Sequence, residues 1–486
     1  MKIAIVYPPF NRGNEYPLLS QNRQFRYSNS KEIRIFPLIP ASAATLLKTK
    51  GHEVFFLDGI NLRQTKEEFT KRLLEINPDI IALETKAPVV KIHWDYINQT
   101  KKLTKSKFVL FGDHVTYFPE ESLENSEVDY VIVGGDYDQG LLNLVESLEK
   151  KEKLPEGIWI KKNGKIIPNG KVPQIKNLDE IPFIDRELTN WQAYGEAYLY
   201  QPCAYILTGR GCGSNTCEKR GCTFCIWQDA LWEKTARLRS PKNVIKEIKE
   251  LTQRHGIKEI FDDNEGGAIW DKEWLKEFYE EMKKEGLIGK VYLSTNARAD
   301  SLDEETCILM KKAGFRLLKI GLESGNNETL KKINKQETIE EIIKGIKNAK
   351  KHGLIVMLTS MVGYPWETEK DVNQTYMVAK KIMRYKTHLG DSLQSSVIIP
   401  YPGTPLYEQA LKNNWFVVDP KEYELFDQTR QILKSPINTQ KWCKKIWSIH
   451  YDPIFVSKTI LSIKSKEDLK LLSRGVKSVL GHLKDY

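Results

Sequence analysis

The 486-residue sequence has no apolar run near the roughly 18 residues that a membrane-spanning helix requires. Its start, MKIAIVYPPF, lacks the basic region, apolar stretch and small-residue cleavage site of a secretory signal, so a cytoplasmic location is expected. Short internal repeats and low-complexity tracts are missing as well, which leaves ordinary globular domains. Cysteine is scarce and odd in number, at seven. Four of these fall within the fourteen residues 212–225, while Cys203, Cys307 and Cys443 stand apart. In a cytoplasmic chain such clustering points to metal binding or catalysis and away from disulfides.

What is present in abundance is lysine, and the formal charge is +10. The lysines alternate with glutamates in segments such as KEIKELTQRHGIKEI and EFYEEMKKEG, the pattern of solvated helix faces, so no nucleic-acid partner is expected. The chain is too long for one ordinary core and long enough for two main domains and a tail.

Residues 1–150 alternate β-branched runs (KIAIVYP, EVFFLDG, DIIALET, FVLFGDH, YVIVGG) with helical periodicity, as in ASAATLLKTKGH and TKEEFTKRLLEIN. That alternation predicts an α/β domain with a doubly wound, Rossmann-like parallel sheet, whose ligands bind beyond the carboxyl ends of the strands. Pro8, Pro9, Asp58, Thr85 and the Gly112–Thr116 turn surround one such pocket. Residues 151–199 read as a linker, with GIWIKKNGKIIPNGK as a small hairpin and NLDEIPFIDREL as an extended connector. Over 200–420 the alternation resumes with six strand–helix units, predicting a complete or partial barrel of the TIM type. Residues 421–486 read as a helical tail.

The chemistry concentrates in Thr208–Trp227, TGRGCGSNTCEKRGCTFCIW. Thiolates closely spaced on a glycine-rich loop after a strand can wrap a soft metal or a cluster. Four cysteines at 212, 217, 222 and 225 suit a structural zinc, giving a non-catalytic zinc-knuckle binding protein. Three of them suit a 4Fe–4S cluster with one iron left open.

Arg210-Gly211-Cys212 and Cys222-Thr223-Phe224-Cys225 resemble the radical S-adenosylmethionine superfamily, and in particular its branch with an amino-terminal cobalamin-binding domain. That branch includes the anaerobic magnesium-protoporphyrin cyclase and many methyltransferases. Nine residues separate Cys212 from Cys222 where the family has three. The Arg-Gly context favours Cys212 as the first ligand, and the shorter spacing keeps Cys217 as the alternative. FDDNEGG (Phe261–Gly267), STNARAD (Ser294–Asp300), IGLESG (Ile320–Gly325), MVGYPWET and IIPYPGTPLYE extend the resemblance along the chain. It implies cluster ligation by Cys212, Cys222 and Cys225, and contacts to S-adenosylmethionine from Phe224, Asp263, Glu265, Arg298 and Glu323. Taken singly, Arg298 and Glu323 would each more often be structural salt-bridge residues, and at least one of Asp262, Asp263 and Glu265 reads as capping the helix WDKEWLKEFYEEM. Thr368 and Tyr407 read as turn residues, and Met310, Phe315 and Leu317 as core.

The resemblance further implies one-electron cleavage of S-adenosylmethionine to a 5′-deoxyadenosyl radical, fed by a donor such as flavodoxin or ferredoxin. FGDHVTYFPEE (Phe111–Glu121) is similar to the family's cobalamin-side segment, so Pro8, Gly112, His114 and Gly135 are the residues expected around a corrin. The sequence carries no Asp-x-His-x-x-Gly, and His114 is expected to be a hydrogen-bonding residue that does not ligate cobalt. The expected function is cobalamin-dependent methylation of an unactivated carbon of a lipid or secondary metabolite. The alternative is a cobalamin-independent radical enzyme performing cyclisation, epimerisation, dehydrogenation or carbon–carbon bond formation. In the tail, Lys444, Lys445, Lys458, Lys464 and Lys466 accompany Trp442, Trp447, Tyr451 and Phe455. That mixture suits either peripheral membrane contact or a helical cap on the barrel.

Overall fold

Strand-forming runs that are apolar on both faces, separated by amphipathic helices, build two parallel sheets. The computed structural model describes residues 1–19, 25–212, 221–233, 235–264 and 271–485. In the first sheet β1 (Lys2–Tyr7), β2 (Glu53–Asp58), β3 (Ile80–Glu84), β4 (Lys107–Phe111) and β5 (Tyr130–Ile132) run parallel in the order β2-β1-β3-β4-β5. Ile3, Ile5, Ile80, Leu83, Val109 and Leu110 are fully buried, as a sheet covered on both faces requires. The cover comes from α1 (Leu38–Thr49), α2 (Lys66–Ile76), α3 (Val90–Thr100) and α4 (Tyr137–Lys150). Thr65 and Glu68 start α2 with a reciprocal capping box.

The hairpin read in the linker is present as β6 (Ile158–Lys162) and β7 (Lys165–Ile167), turning through left-handed Asn163 and Gly164. It pairs antiparallel with β5, so the first sheet runs on past residue 150 to Ile167.

All six strands expected in the second domain form, and in chain order. They are β8 (Cys203–Ile206), β9 (Glu259–Asp262), β10 (Tyr292–Ala297), β11 (Phe315–Glu323), β12 (Ile355–Val362) and β13 (Ser392–Val397). Neighbours are parallel throughout, and among the described residues no pairing closes β13 onto β8: the barrel is partial. Between the strands lie α5 (Pro241–His255), α6 (Lys272–Lys284), α7 (Glu304–Ala313), α8 (Ile339–Lys351) and α9 (Glu369–Arg384). Met310, Phe315 and Leu317 are buried in the core, as expected.

The tail forms α10 (Thr439–Trp447), α11 (Pro453–Leu461) and α12 (Lys466–Lys484). Trp447 Nε1 donates to Ser395 O at 2.9 Å and Trp442 Nε1 to Glu369 at 2.6 Å, so α10 caps the open edge of the barrel at β13. Beyond it, Ile454, Ile460, Leu461 and Leu469 are exposed. No helix among the described residues is long and apolar enough to cross a membrane.

Candidate active site

The loop that carries the cysteines is held by groups distant in sequence. After β8, Gly209–Arg210 pairs with Arg237–Leu238. Arg210, 4% exposed, donates to Asp136 at 2.7 Å and Asp138 at 2.5 Å, and Arg237 donates to Asp136 at 2.6 Å. Burial raises the Asp136 carboxyl, but the two arginines outweigh it and hold that group below its ordinary range. Both aspartates follow β5, so the segment presenting Cys212 is anchored to the first domain. At Gly211 φ is +95°, and an added Cβ would lie 1.8 Å from Thr235 O. The Arg-Gly pair before the first cysteine thus has structural work of its own.

The second and third cysteines lie on a turn closed by Cys225 N donating to Cys222 O at 3.0 Å. Thr223 N donates to Ile333 O at 2.9 Å, Thr223 O accepts from Leu406 N at 2.8 Å, and Asn334 Nδ2 donates to Gly221 O at 3.0 Å. The Pro-Tyr-Pro-Gly-Thr-Pro segment therefore positions the cysteine turn through backbone, with Thr404 capping the helix Pro405–Lys412. Thr368 caps α9, while Tyr407, read as a turn residue, is buried in the first turn of the helix Pro405–Lys412.

Cys212, Cys222, Phe224 and Cys225 line one cavity of about 560 Å3 at the carboxyl ends of the second sheet. The same cavity receives Asp263 after β9, Arg298 after β10 and Glu323 at the end of β11. Cys217 and Glu265 lie outside the described residues. Asp263 accepts from Asn296 Nδ2 at 3.1 Å. Its neighbour Asp262 is turned away, accepting from Thr208 N at 2.9 Å, Thr208 Oγ1 at 2.7 Å and Thr295 Oγ1 at 3.1 Å, and burial pushes it up to about 6. The cap of α6 is Asp271, whose side chain accepts from Trp274 N.

Around Cys222 the sequence reading missed a cation. Lys335 is buried on the cavity wall, 3.2 Å from Glu323 and 3.5 Å from Glu337. Arg298 donates to Asp300 at 2.8 Å and to Lys335 O at 2.9 Å, and lies 3.5 Å from Glu337. Burial lowers both cations, yet Glu337 and Asp300 outweigh it at Arg298, and Glu323 and Glu337 at Lys335, so both are held charged. Both cations lie close enough to Cys222 to feel its charge. Glu323 takes a left-handed φ of 57°, which marks the strand end as shaped for a site. Lys335 gave no sequence signal because it sits in KKINKQET, which reads as a solvated helix end.

Pro8, Gly112, His114 and Gly135, the residues expected around a corrin, do not line this cavity. Gly112 has φ +123°, and a Cβ would lie 2.3 Å from Thr85 O; at Gly135 a Cβ would lie 2.3 Å from Leu231 O. Both glycines admit protein backbone. His114, 1% exposed, is 3.2 Å from Glu121 and edge-on to Tyr423, while Pro8 is buried. The crevice where the strand order reverses, between β1 and β3, is filled: Tyr7 and Tyr137 both donate to Glu84, and Tyr137 stacks on Phe111 at 4.8 Å. An orphaned group lies instead at the seam of the domains. Gln228, three residues past Cys225, is 2% exposed on the cavity wall with neither Nε2 nor Oε1 partnered.

Comparison with known proteins bears on the fold and on the cysteine-bearing segment. The description "Radical SAM superfamily" matches residues 208–379. A Pyrococcus horikoshii protein described as an uncharacterized methyltransferase is 29% identical over 383 residues, covering 78% of this chain and 79% of its own. The anaerobic magnesium-protoporphyrin IX monomethyl ester cyclase of Cereibacter sphaeroides is 26% identical over 412 residues, 81% of this chain and 62% of the cyclase. The solved structure of TsrM, a radical S-adenosylmethionine methyltransferase of Kitasatospora setae with cobalamin and a 4Fe–4S cluster bound, shares the fold. The TM-score is 0.69 over 99% of both chains, at 15% identity. The cysteine turn and the strand ends bearing Asp263, Arg298 and Glu323 all fall inside the segment 208–379 that matches the radical S-adenosylmethionine superfamily.

Proposed function

We propose that this chain is a cobalamin-dependent radical S-adenosylmethionine methyltransferase acting on an unactivated carbon of a lipid or secondary metabolite. The observation that carries the reading is that Cys212, Cys222 and Cys225 share one cavity with Asp263, Arg298, Glu323 and Lys335. The donor set fits a cluster with S-adenosylmethionine beside it: soft sulfurs for iron, carboxylates for the sulfonium compound's ammonium, and cations for its carboxylate. When bound, the cluster supplies the single electron that cleaves a carbon–sulfur bond of S-adenosylmethionine, itself drawn from a donor such as flavodoxin or ferredoxin. Asp263 and Glu323 orient the ammonium, Arg298 and Lys335 orient the carboxylate, and Phe224 shields the cluster side. Burial of the whole set keeps water from the reacting atoms.

Cobalamin, when bound, supplies a methyl group. Its support here is the fold shared with TsrM and the orphaned Gln228, which would meet it at the seam. One observation favours the cobalamin-independent enzyme, namely the crevice closed by Tyr7, Glu84 and Tyr137. Anaerobic loading followed by gel filtration separates the two. Retention of about one cobalamin per chain supports the first reading, and none retained supports the second. The zinc-knuckle reading on Cys212, Cys217, Cys222 and Cys225 is separated by anaerobic reconstitution, since a cluster gives brown colour and near-ultraviolet absorption and zinc gives neither. Peripheral membrane contact remains part of the proposal through exposed Ile460, Leu461 and Leu469 near Lys458, Lys464 and Lys466.

A further inference from the structure

Away from the cysteines the cavity extends into an apolar chamber. Its walls include Ile33 of the first domain, Trp447, Phe455, and Leu471 and Val479 of α12. Leu471, Gly475, Ser478 and His482 recur at helical spacing and all line it, so one face of α12 looks inward. Among these groups sits Arg26, 2% exposed and on the same wall. Its Nη2 donates to His482 Nε2 at 3.1 Å, whereas Nε and Nη1 have no hydrogen-bond partner.

Arg26 is held in place. Burial, and then the charge of Arg26, pushes His482 down to about 4, so the imidazole is neutral. Its Nε2 accepts from Arg26 and its Nδ1 donates to Asp485 at 3.0 Å, with Asp485 fixed in turn by Ser28 Oγ at 3.0 Å and Asn29 N at 2.8 Å. The carboxylate nearest in this chain of contacts thus stands one imidazole away from the cation. Cationic N–H donors buried without an acceptor are costly, and a ligand that brings the acceptor removes the cost.

We propose that Arg26 recognises an anionic group, a carboxylate or a phosphate ester, at one end of an otherwise apolar substrate. The proposal rests on the reading of this cavity as the substrate chamber, and narrows "lipid or secondary metabolite" to an acidic amphiphile. A guanidinium suits carboxylate and phosphate alike because its N–H groups match their oxygens and its charge persists at any working pH. His482 and Asp485 are positioning residues.

The test is calorimetric binding of decanoate, decyl phosphate and decan-1-ol to the anaerobically reconstituted holoprotein. The wild type binds at least one anionic probe about tenfold or more tightly than the alcohol, the size of a charge-assisted hydrogen bond. Which anion leads distinguishes carboxylate from phosphate. Arg26→Gln brings the anionic probes down to the affinity of the alcohol, and retained alcohol binding shows that the chamber is intact. Arg26→Lys keeps the cation and with it part of the preference. Equal binding of all three probes by the wild type, or a preference that survives in Arg26→Gln, overturns the proposal. Binding requires no turnover, so its failure leaves the radical chemistry standing, and failure of S-adenosylmethionine cleavage leaves the anion site standing.

Discussion

Cys222 and Cys225 share a turn gripped from two sides, while Cys212 stands on a separate segment tied to the first domain. Loss of a thiolate ligand to a cluster is not made good by neighbours, so Cys222→Ala and Cys225→Ala each reduce iron and sulfide content to background after anaerobic reconstitution. Cys212→Ala does the same while Cys217→Ala keeps its iron; the opposite result makes Cys217 the first ligand. Glu367 offers a second test at this scale. Fully buried between Gly363 N at 3.1 Å, Tyr364 N at 3.3 Å and Ser324 Oγ at 3.3 Å, it is pushed up to about 8 by burial. The folded state then holds a proton that the unfolded chain releases near pH 4.5, so its stabilising contribution is complete below that pH and is lost as pH rises through about 8. Thermal unfolding followed from about pH 6 to about pH 9 shows a fall in Tm that is smaller in Glu367→Gln. Which single residues would matter was only partly legible. Asp263, Arg298 and Glu323 stand at strand ends, where an alternating pattern can point to them. Lys335 and Arg26 lie in irregular polar segments whose burial depends on elements more than a hundred residues away or on other strands, and no periodicity marks them.

At the scale of elements, the mostly apolar run IVMLTSMV predicted β12, as a strand buried on both faces requires, whereas β13, SLQSSV, buries Gln394, Ser395 and Ser396 and was marked by its place in the alternation. The linker hairpin was equally legible from its Asn163-Gly164 turn, but its pairing with β5 was not, because two short strands carry no statement of their partner. The tie between elements that bears most on function is Arg210 with Asp136 and Asp138. Removing one side of a buried ion pair strands the other charge, so Arg210→Ala costs about 3–5 kcal/mol in chemical denaturation. Its iron content also falls, since the segment presenting Cys212 loses its anchor. A variant unfolding with wild-type stability would show that the anchor is dispensable.

For the whole molecule, the second sheet, the segment before α1 (Leu18, Arg26, Ile33, Ile35) and the tail together line one cavity, with the cysteines at one side and α11 and α12 at the other. The partial barrel and the Rossmann-like sheet were readable from the alternation alone, whereas the enclosure was not, because it arises where three separately folded regions meet. The need for glycine at 112 and 135 is visible only in the fold, where an added Cβ would lie 2.3 Å from Thr85 O and from Leu231 O. The central claim is that this cavity houses a cluster that cleaves S-adenosylmethionine. The direct measurement is anaerobic reconstitution with iron and sulfide, reduction, and quantification of 5′-deoxyadenosine formed from S-adenosylmethionine. The account predicts a brown protein with near-ultraviolet absorption that makes 5′-deoxyadenosine, and none made by Cys222→Ala or Cys225→Ala. A colourless, zinc-containing protein, or a wild-type and Cys225→Ala pair producing equal amounts, would contradict it.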